Sequence, residues 1–83
     1  MTGMRATQAR METEGGVPTA LIHAGTRYRV SDTPTRLEED MGSMTHPLPV
    51  SGWRFQGTDR AGESHMFDVI LRGEEWRVGR VYD

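Results

Sequence analysis

The fold is decided by residues 50–82, which read VSGWRFQGTDRAGESHMFDVILRGEEWRVGRVY. Apolar and polar residues alternate in three runs here, and a Gly-containing turn signal separates each run from the next. The first run places Trp53 and Phe55 on one face, and the second does the same with Phe67 and Val69. Because alternation with a period of two is typical of a half-buried strand, the stretch predicts three consecutive antiparallel strands.

The third run, residues 75–82, is expected to be the closing strand. Trp76 and Val78 share one face of it, whereas Val81 falls on the wrong parity. An extra residue in the strand would restore the parity, so the sequence predicts a β-bulge near Gly79.

Residues 19–30 read TALIHAGTRYRV and predict a hairpin that turns at Ala24 and Gly25. The count is then five short strands. A sheet this small must curl to bury one face, so we expect a mostly β chain: a small five-stranded antiparallel sheet curled into a half-open, SH3-like barrel. The predicted core consists of Leu21 or Ile22, Tyr28, Val30, Trp53, Phe55, Phe67, Val69, Leu71, Trp76 and Val78.

The remaining segments are less regular. Residues 1–16 contain only Met and Ala as apolar residues, and we expect a disordered tail there, followed by a single β domain over residues 17–83. Residues 34–41 predict one short helix with Pro34 at its first position, and an acidic loop is the alternative. Residues 42–49 contain two prolines and are expected to connect the elements on either side.

The length and composition of the chain exclude several classes of function. A chain of 83 residues leaves little room for both a core and a deep cleft, which favours a binding role over an enzymatic one. The sequence contains no cysteine, which excludes disulfides and thiolate chemistry and fits a reducing, cytoplasmic location. It also contains no apolar run of the roughly 20 residues that a membrane helix requires.

No constellation of residues predicts catalysis, a metal or a cofactor. Ser64 and His65 are neighbours on a strand, so their side chains point to opposite faces and cannot act with Asp68 as a triad. His23 and His46 show no ligand spacing with His65. We therefore expect no enzyme activity, no catalytic residue, no metal and no cofactor.

Arginine is the most informative polar residue, since all ten basic residues are arginine. Arg27, Arg29, Arg54 and Arg77 alternate outward from the aromatic positions, and neighbouring strands would place them on one binding face for phosphate or an acidic partner. Asp68 is expected on the same face, where it would reduce the positive charge.

Two functions follow from these features. The first is a non-enzymatic module that binds another protein through an exposed strand edge or the arginine face, with a weak homodimer through a sheet edge as a further expectation. The alternative is a nucleic-acid-binding accessory domain. The formal net charge of −2 argues against the alternative, because nucleic-acid-binding domains are usually basic.

Three short motifs carry a resemblance to a known group of proteins. They are GTRYRV at residues 25–30, GWRF at residues 52–55 and EWRVGRVYD at residues 75–83. The chain resembles small actinobacterial β-domain proteins of unknown function that end in a W-x-(L/V)-x-R-V-x-D strand. Some relatives of that kind are associated with error-prone DNA polymerase genes. The resemblance covers roughly residues 17–83 and implies no functional residue.

Overall fold

The structure is a computed structural model that describes residues 7–37 and 51–82. These residues form seven strands. In chain order they are β1 (Thr7–Glu14), β2 (Val17–His23), β3 (Thr26–Val30), β4 (Thr35–Arg36), β5 (Ser51–Thr58), β6 (Ser64–Arg72) and β7 (Glu75–Tyr82).

All strand pairings are antiparallel, and the strand order is β3-β2-β1-β7-β6-β5-β4. The sheet closes on itself because β3 also pairs with β5, through Arg29 opposite Thr58 and Val30 opposite Gly57. Six strands thus form a closed barrel, and the two-residue β4 lies against β5. The predicted small antiparallel barrel is confirmed, with a closed seam and with two strands beyond the five predicted.

The first additional strand corrects the predicted N-terminal tail. Residues 7–14, expected to be disordered, form β1, which pairs with β2 on one side and with β7 on the other. Gly15 and Gly16 have φ values of 59° and 84°. Two successive residues with positive φ make the tight turn that suits a hairpin, so this pair joins two strands rather than ending a tail. Residues 1–6 lie outside the described residues.

The second additional strand lies inside the predicted helix of residues 34–41. Thr35 and Arg36 form β4, opposite Arg54 and Trp53 of β5, so the helix prediction is wrong at these two positions. Residues 38–41 and the connector at 42–49 lie outside the described residues.

The core fills the barrel interior. Its fully packed centre consists of Leu21, Phe55, Phe67, Val69 and Val78, with Ala9, Met11, Tyr28, Val30, Trp53 and Trp76 packed around it. The prediction is confirmed at each of its positions except Leu71, which is half-buried and lies outside this cluster. The predicted aromatic positions therefore all contribute to the core.

Gly57 makes this packing possible. A Cβ atom at Gly57 would lie 2.9 Å from the Phe67 ring and 2.9 Å from the Tyr28 Cβ atom. These distances are shorter than real Cβ contacts, so only glycine lets both rings lie against the β5 backbone.

The predicted bulge at Gly79 is confirmed. Asp68 lies opposite Arg80 and Val69 lies opposite Val78, so Gly79 has no counterpart on β6. The extra residue shifts the parity of the strand, and Val81 consequently lies opposite the buried Phe67. Tyr82 moves to the outer face, where it meets the Asp68 side chain.

Candidate interaction surface

The four arginines of the predicted face all point away from the core, but the barrel distributes them over its circumference. Arg27 and Arg29 lie on β3, Arg54 on β5 and Arg77 on β7. Arg29 lies opposite Thr58, four residues along β5 from Arg54, a separation of about 13 Å at the rise of an extended strand. Strand β6 separates Arg54 from Arg77. The four side chains therefore do not form one continuous patch.

Three of the four arginines also have a carboxylate partner. The first is Arg27, whose Nη2 donates to Glu12 Oε1 at 2.8 Å across the outer face of β2. This hydrogen bond, together with the charge of Arg27, lowers the pKa of Glu12. The bridge is exposed, with Arg27 at 60% and Glu12 at 49% side-chain exposure, so it contributes little to stability.

The second pair is the most enclosed polar contact of the barrel surface. Arg54 Nε donates to Asp68 Oδ1 at 2.7 Å, and Tyr82 Oη donates to Asp68 Oδ2 at 2.7 Å. Burial raises the pKa of Asp68, but the hydrogen bonds from Arg54 and Tyr82 and the charges of Arg54 and Arg80 together lower it by more, so that the net shift is downward from 3.8. The expectation that Asp68 would oppose the arginine charge is confirmed.

This arrangement predicts an acid-dependent loss of stability. The folded pKa of Asp68 lies below the unfolded value, so its contribution is present above about pH 4 and is lost as the pH falls through the folded pKa. Asp68→Asn is expected to lower the free energy of unfolding at pH 7 by about 1–2 kcal/mol, a figure reduced because Arg54 is partly exposed.

Urea unfolding from pH 7 to pH 2 measures the difference in the free energy of unfolding between the wild type and Asp68→Asn. This difference should become smaller toward pH 2 as wild-type Asp68 becomes protonated. Glu74→Gln, in the exposed β6–β7 turn, is the matched control and should unfold like the wild type at each pH. A constant difference between Asp68→Asn and the wild type across the range would contradict the proposed ionic contribution.

The third pair joins neighbours on β7. Arg77 Nη2 donates to Glu75 Oε1 at 3.0 Å. Arg27, Arg54 and Arg77 are each held by a carboxylate. Arg29 is the member of the predicted set whose side chain makes no hydrogen bond or ion pair with another residue in the described part of the chain.

The histidines at the barrel end pack as aromatic side chains. The His23 and His65 rings lie 6.4 and 6.2 Å from the Phe67 ring, both edge-on. Burial lowers the pKa of His23, and its Nε2 atom has no hydrogen-bond partner among the described residues. His46 lies outside the described residues.

An opening in the barrel wall separates β3 from the turn that joins β5 to β6. Strand β5 ends at Thr58, and residues 59–62 turn back toward β6, so among the described residues the neighbour of β3 on this side is limited to the pairing at Arg29 and Val30. Two shallow grooves meet in the opening. Their lining residues are Gly25, Thr26, Arg27, Arg29, Thr58, Asp59, Arg60 and Ala61.

The backbone of Arg27 faces this opening. Ser31 donates its main-chain N–H to the Gln56 carbonyl of β5 at 2.8 Å. Successive residues of a strand direct their N–H and C=O groups to opposite sides, so Arg29 and Arg27 direct theirs to the same side as Ser31. Arg29 meets Thr58 there, whereas Arg27 meets no strand in the described part of the chain.

The sequence patterns did not single out Arg60. It lies in a turn, where side-chain direction follows no simple period, and only the closed barrel brings it near Arg29. The available signal was the length of the segment that joins β5 to β6, which is longer than a two-residue hairpin loop.

Among residues 7–37 and 51–82, no group of three acidic or histidine side chains has the geometry to hold a metal ion. Within the same ranges, no helix has the length and apolar character needed to cross a membrane. The chain was also compared with protein-family models, curated proteins and solved structures. None of the three comparisons found a match.

Proposed function

We propose that this protein is a non-enzymatic interaction module that binds an extended segment of another protein at the opening between β3 and the β5–β6 turn. The observation that carries the proposal is the Arg27 backbone, whose N–H and C=O groups face the opening. An extended chain at this place would pair with Arg27 through main-chain hydrogen bonds and add a strand to the sheet. A cytoplasmic location, expected from the cysteine-free sequence, is part of the same proposal.

Barrel closure supports this choice of edge. Pairing of β3 with β5 closes the barrel but stops at Arg29. Other main-chain edges are also unpaired among the described residues, namely β1 beyond Ala9 and the outer side of β4, and the edge at Arg27 differs from them because two grooves meet beside it. Gly25 to Arg27 and Asp59 to Ala61 line a groove at this place.

The nucleic-acid alternative has less support. It requires several arginines that can reach phosphates together, and Arg27, Arg54 and Arg77 are each held by a carboxylate. A sequence-independent binder that uses all four predicted arginines is therefore not the function that the geometry favours.

Arg27→Pro tests the proposal directly. Proline removes the N–H that faces the opening, and no main-chain hydrogen bond of the barrel is lost, because the Arg27 N–H points away from β2. The side-chain bond to Glu12 is lost in Arg27→Pro and in the control Arg27→Ala alike. The probe is a blocked peptide of alternating threonine and valine around one central glutamate. In an amide NMR titration of the full chain we expect shifts at residues 25–29 and 59–61 for the wild type and none for Arg27→Pro. Arg27→Ala is the matched control, and it should bind like the wild type because it keeps the N–H.

Hydrogen exchange gives a second measurement that needs no variant. The Arg27 amide should exchange more slowly when the peptide is present, since it then donates to the peptide backbone. An unprotected Arg27 amide at saturating peptide, or equal binding by Arg27→Pro and Arg27→Ala, would overturn the proposal. Concentration-dependent shifts at the same residues without peptide would instead identify a second copy of the chain as the occupant.

A further inference from the structure

We propose that the opening selects a segment with an acidic side chain, carboxylate or phosphate, at the residue opposite Arg27. This inference rests on the proposed function, because it assumes a chain paired with β3. Residues directly opposite in a β-ladder direct their side chains to the same face. Arg27 is on the outer face, so the side chain of the residue opposite it also emerges on the outer face.

Two arginines border that position. Arg29 is two residues from Arg27 on the same face of β3, and Arg60 lies on the opposite wall of the groove. Both are exposed, and neither side chain makes a hydrogen bond or ion pair with another residue in the ranges that the structure describes. Their guanidinium groups are therefore available to an incoming oxyanion, which they can bind with planar, paired donors.

Asp59, the acidic residue that lines the groove, is hydrogen-bonded within its own turn. Asp59 Oδ1 accepts the Glu63 main-chain N–H at 2.9 Å, and the Asp59 carbonyl accepts the Gly62 N–H at 3.0 Å. The first of these bonds holds the Asp59 carboxylate to the turn, and the second closes the turn itself. The groove then carries two guanidinium groups against one engaged carboxylate, an excess of positive charge that favours an anionic side chain.

The Thr58 hydroxyl group, which lines the groove, also has hydrogen-bonding partners within the barrel. Thr58 Oγ1 lies 2.8 Å from Ser31 Oγ and 2.8 Å from Ser64 Oγ, in a chain of hydroxyls across three segments. Because Thr58 has its partners within the barrel, the charge of the incoming group, rather than a neutral hydrogen bond to Thr58, is expected to decide the preference.

Three peptides that differ only at the central residue test the inference: glutamate, glutamine and phosphoserine. For the full chain in low salt we expect the glutamine peptide to bind about fivefold more weakly than the glutamate peptide, a size typical of exposed ion pairs. The phosphoserine peptide should bind at least as tightly as the glutamate peptide. A comparison of these two affinities shows whether the opening prefers a phosphate or a carboxylate. Moderate salt should reduce the differences by screening.

The double variant Arg29→Gln, Arg60→Gln should bind the glutamate and glutamine peptides equally. Arg77→Gln, on a distant strand, is the matched control and should keep the wild-type preference. If the wild type binds both peptides equally while Arg27→Pro abolishes binding, the selectivity is wrong and the main-chain proposal stands. If no peptide binds, the proposed function itself fails. A short single-stranded DNA that shifts the same amides more strongly than any peptide would overturn the inference in favour of nucleic acid.

Discussion

A chain that begins at Gly15 is expected not to fold. Removing residues 1–14 deletes β1, which lies between β2 and β7 and pairs with both. The loss opens the barrel along its length, leaves two strand edges without partners and removes Ala9 and Met11 from the core boundary. We expect an amide NMR spectrum with collapsed dispersion and no cooperative thermal transition, whereas removal of a disordered tail would leave both unchanged.

Two substitutions within β1 provide a finer measurement. Met11 packs against the core from its inward face, and Met11→Ala should cost about 2 kcal/mol of unfolding free energy, the low end for a methionine because the side chain is only half-buried. Its neighbour Arg10 is exposed, so Arg10→Ala should change stability by no more than about 0.5 kcal/mol. Equal effects would show that β1 does not pack on the barrel as described.

Phe67→Ala is expected to have the largest effect of any single core substitution. The Phe67 side chain is 1% exposed, and its ring lies 4.8 Å from the Tyr28 ring and 6.1 Å from the Phe55 ring. Truncation removes these contacts and leaves a cavity, at a cost of about 3–5 kcal/mol. A domain of this length has a total stability of about 4–12 kcal/mol, so the substitution removes a large fraction of it and the variant should unfold at a much lower urea concentration than the wild type.

Val81→Ala is the matched control for Phe67→Ala, because the two residues lie opposite one another on neighbouring strands. Val81 is 45% exposed, and its truncation should cost about 0.5 kcal/mol or less. Urea unfolding followed by tryptophan fluorescence measures both variants. A loss below about 1 kcal/mol for Phe67→Ala would contradict the assignment of this ring to the centre of the core.

The parts of the fold that the sequence predicted are those with strong alternation. Strands β3, β5, β6 and β7 alternate between apolar and polar residues, as with Trp53 and Phe55 in β5 and Phe67 and Val69 in β6, which is the pattern of a half-buried sheet. Strand β2 was recognised from a short apolar run instead. The bulge at Gly79 was predictable for the same reason, because one inserted residue shifts the parity of every residue that follows it in a clearly alternating strand.

Strand β1 was missed because its pattern is weak. Its sequence TQARMETE contains one small and one flexible apolar residue, Ala9 and Met11, among polar residues, and no valine, isoleucine or aromatic residue. Its pairing partners, rather than its own preference, make it a strand. A usable signal was the Gly15-Gly16 pair, which is typical of a two-residue hairpin turn, although the same pair also fits the end of a flexible tail.

The candidate site was predictable only in part. Alternation correctly placed Arg27, Arg29, Arg54 and Arg77 on the outside of the barrel. Which carboxylate meets which arginine depends on strand register, and the Arg27–Glu12 bridge in particular depends on the strand that was missed. The opening next to Arg27 arises from the closure of β3 on β5, a long-range contact that local patterns do not contain.

The pairing of β1 with β7 also affects how the chain folds during synthesis. The partner of β1 is β7, which follows the other described strands in chain order, so a nascent chain can form the β1–β2–β3 hairpins early but cannot close the barrel until β7 has left the ribosome. During that interval the growing chain presents β1 with one edge unpaired, and its long sequence separation from β7 slows the final step. The polar residues of β1, which made the strand difficult to predict, are then an advantage. A strand edge with charged residues is less prone to aggregate with other nascent chains before it pairs with β7.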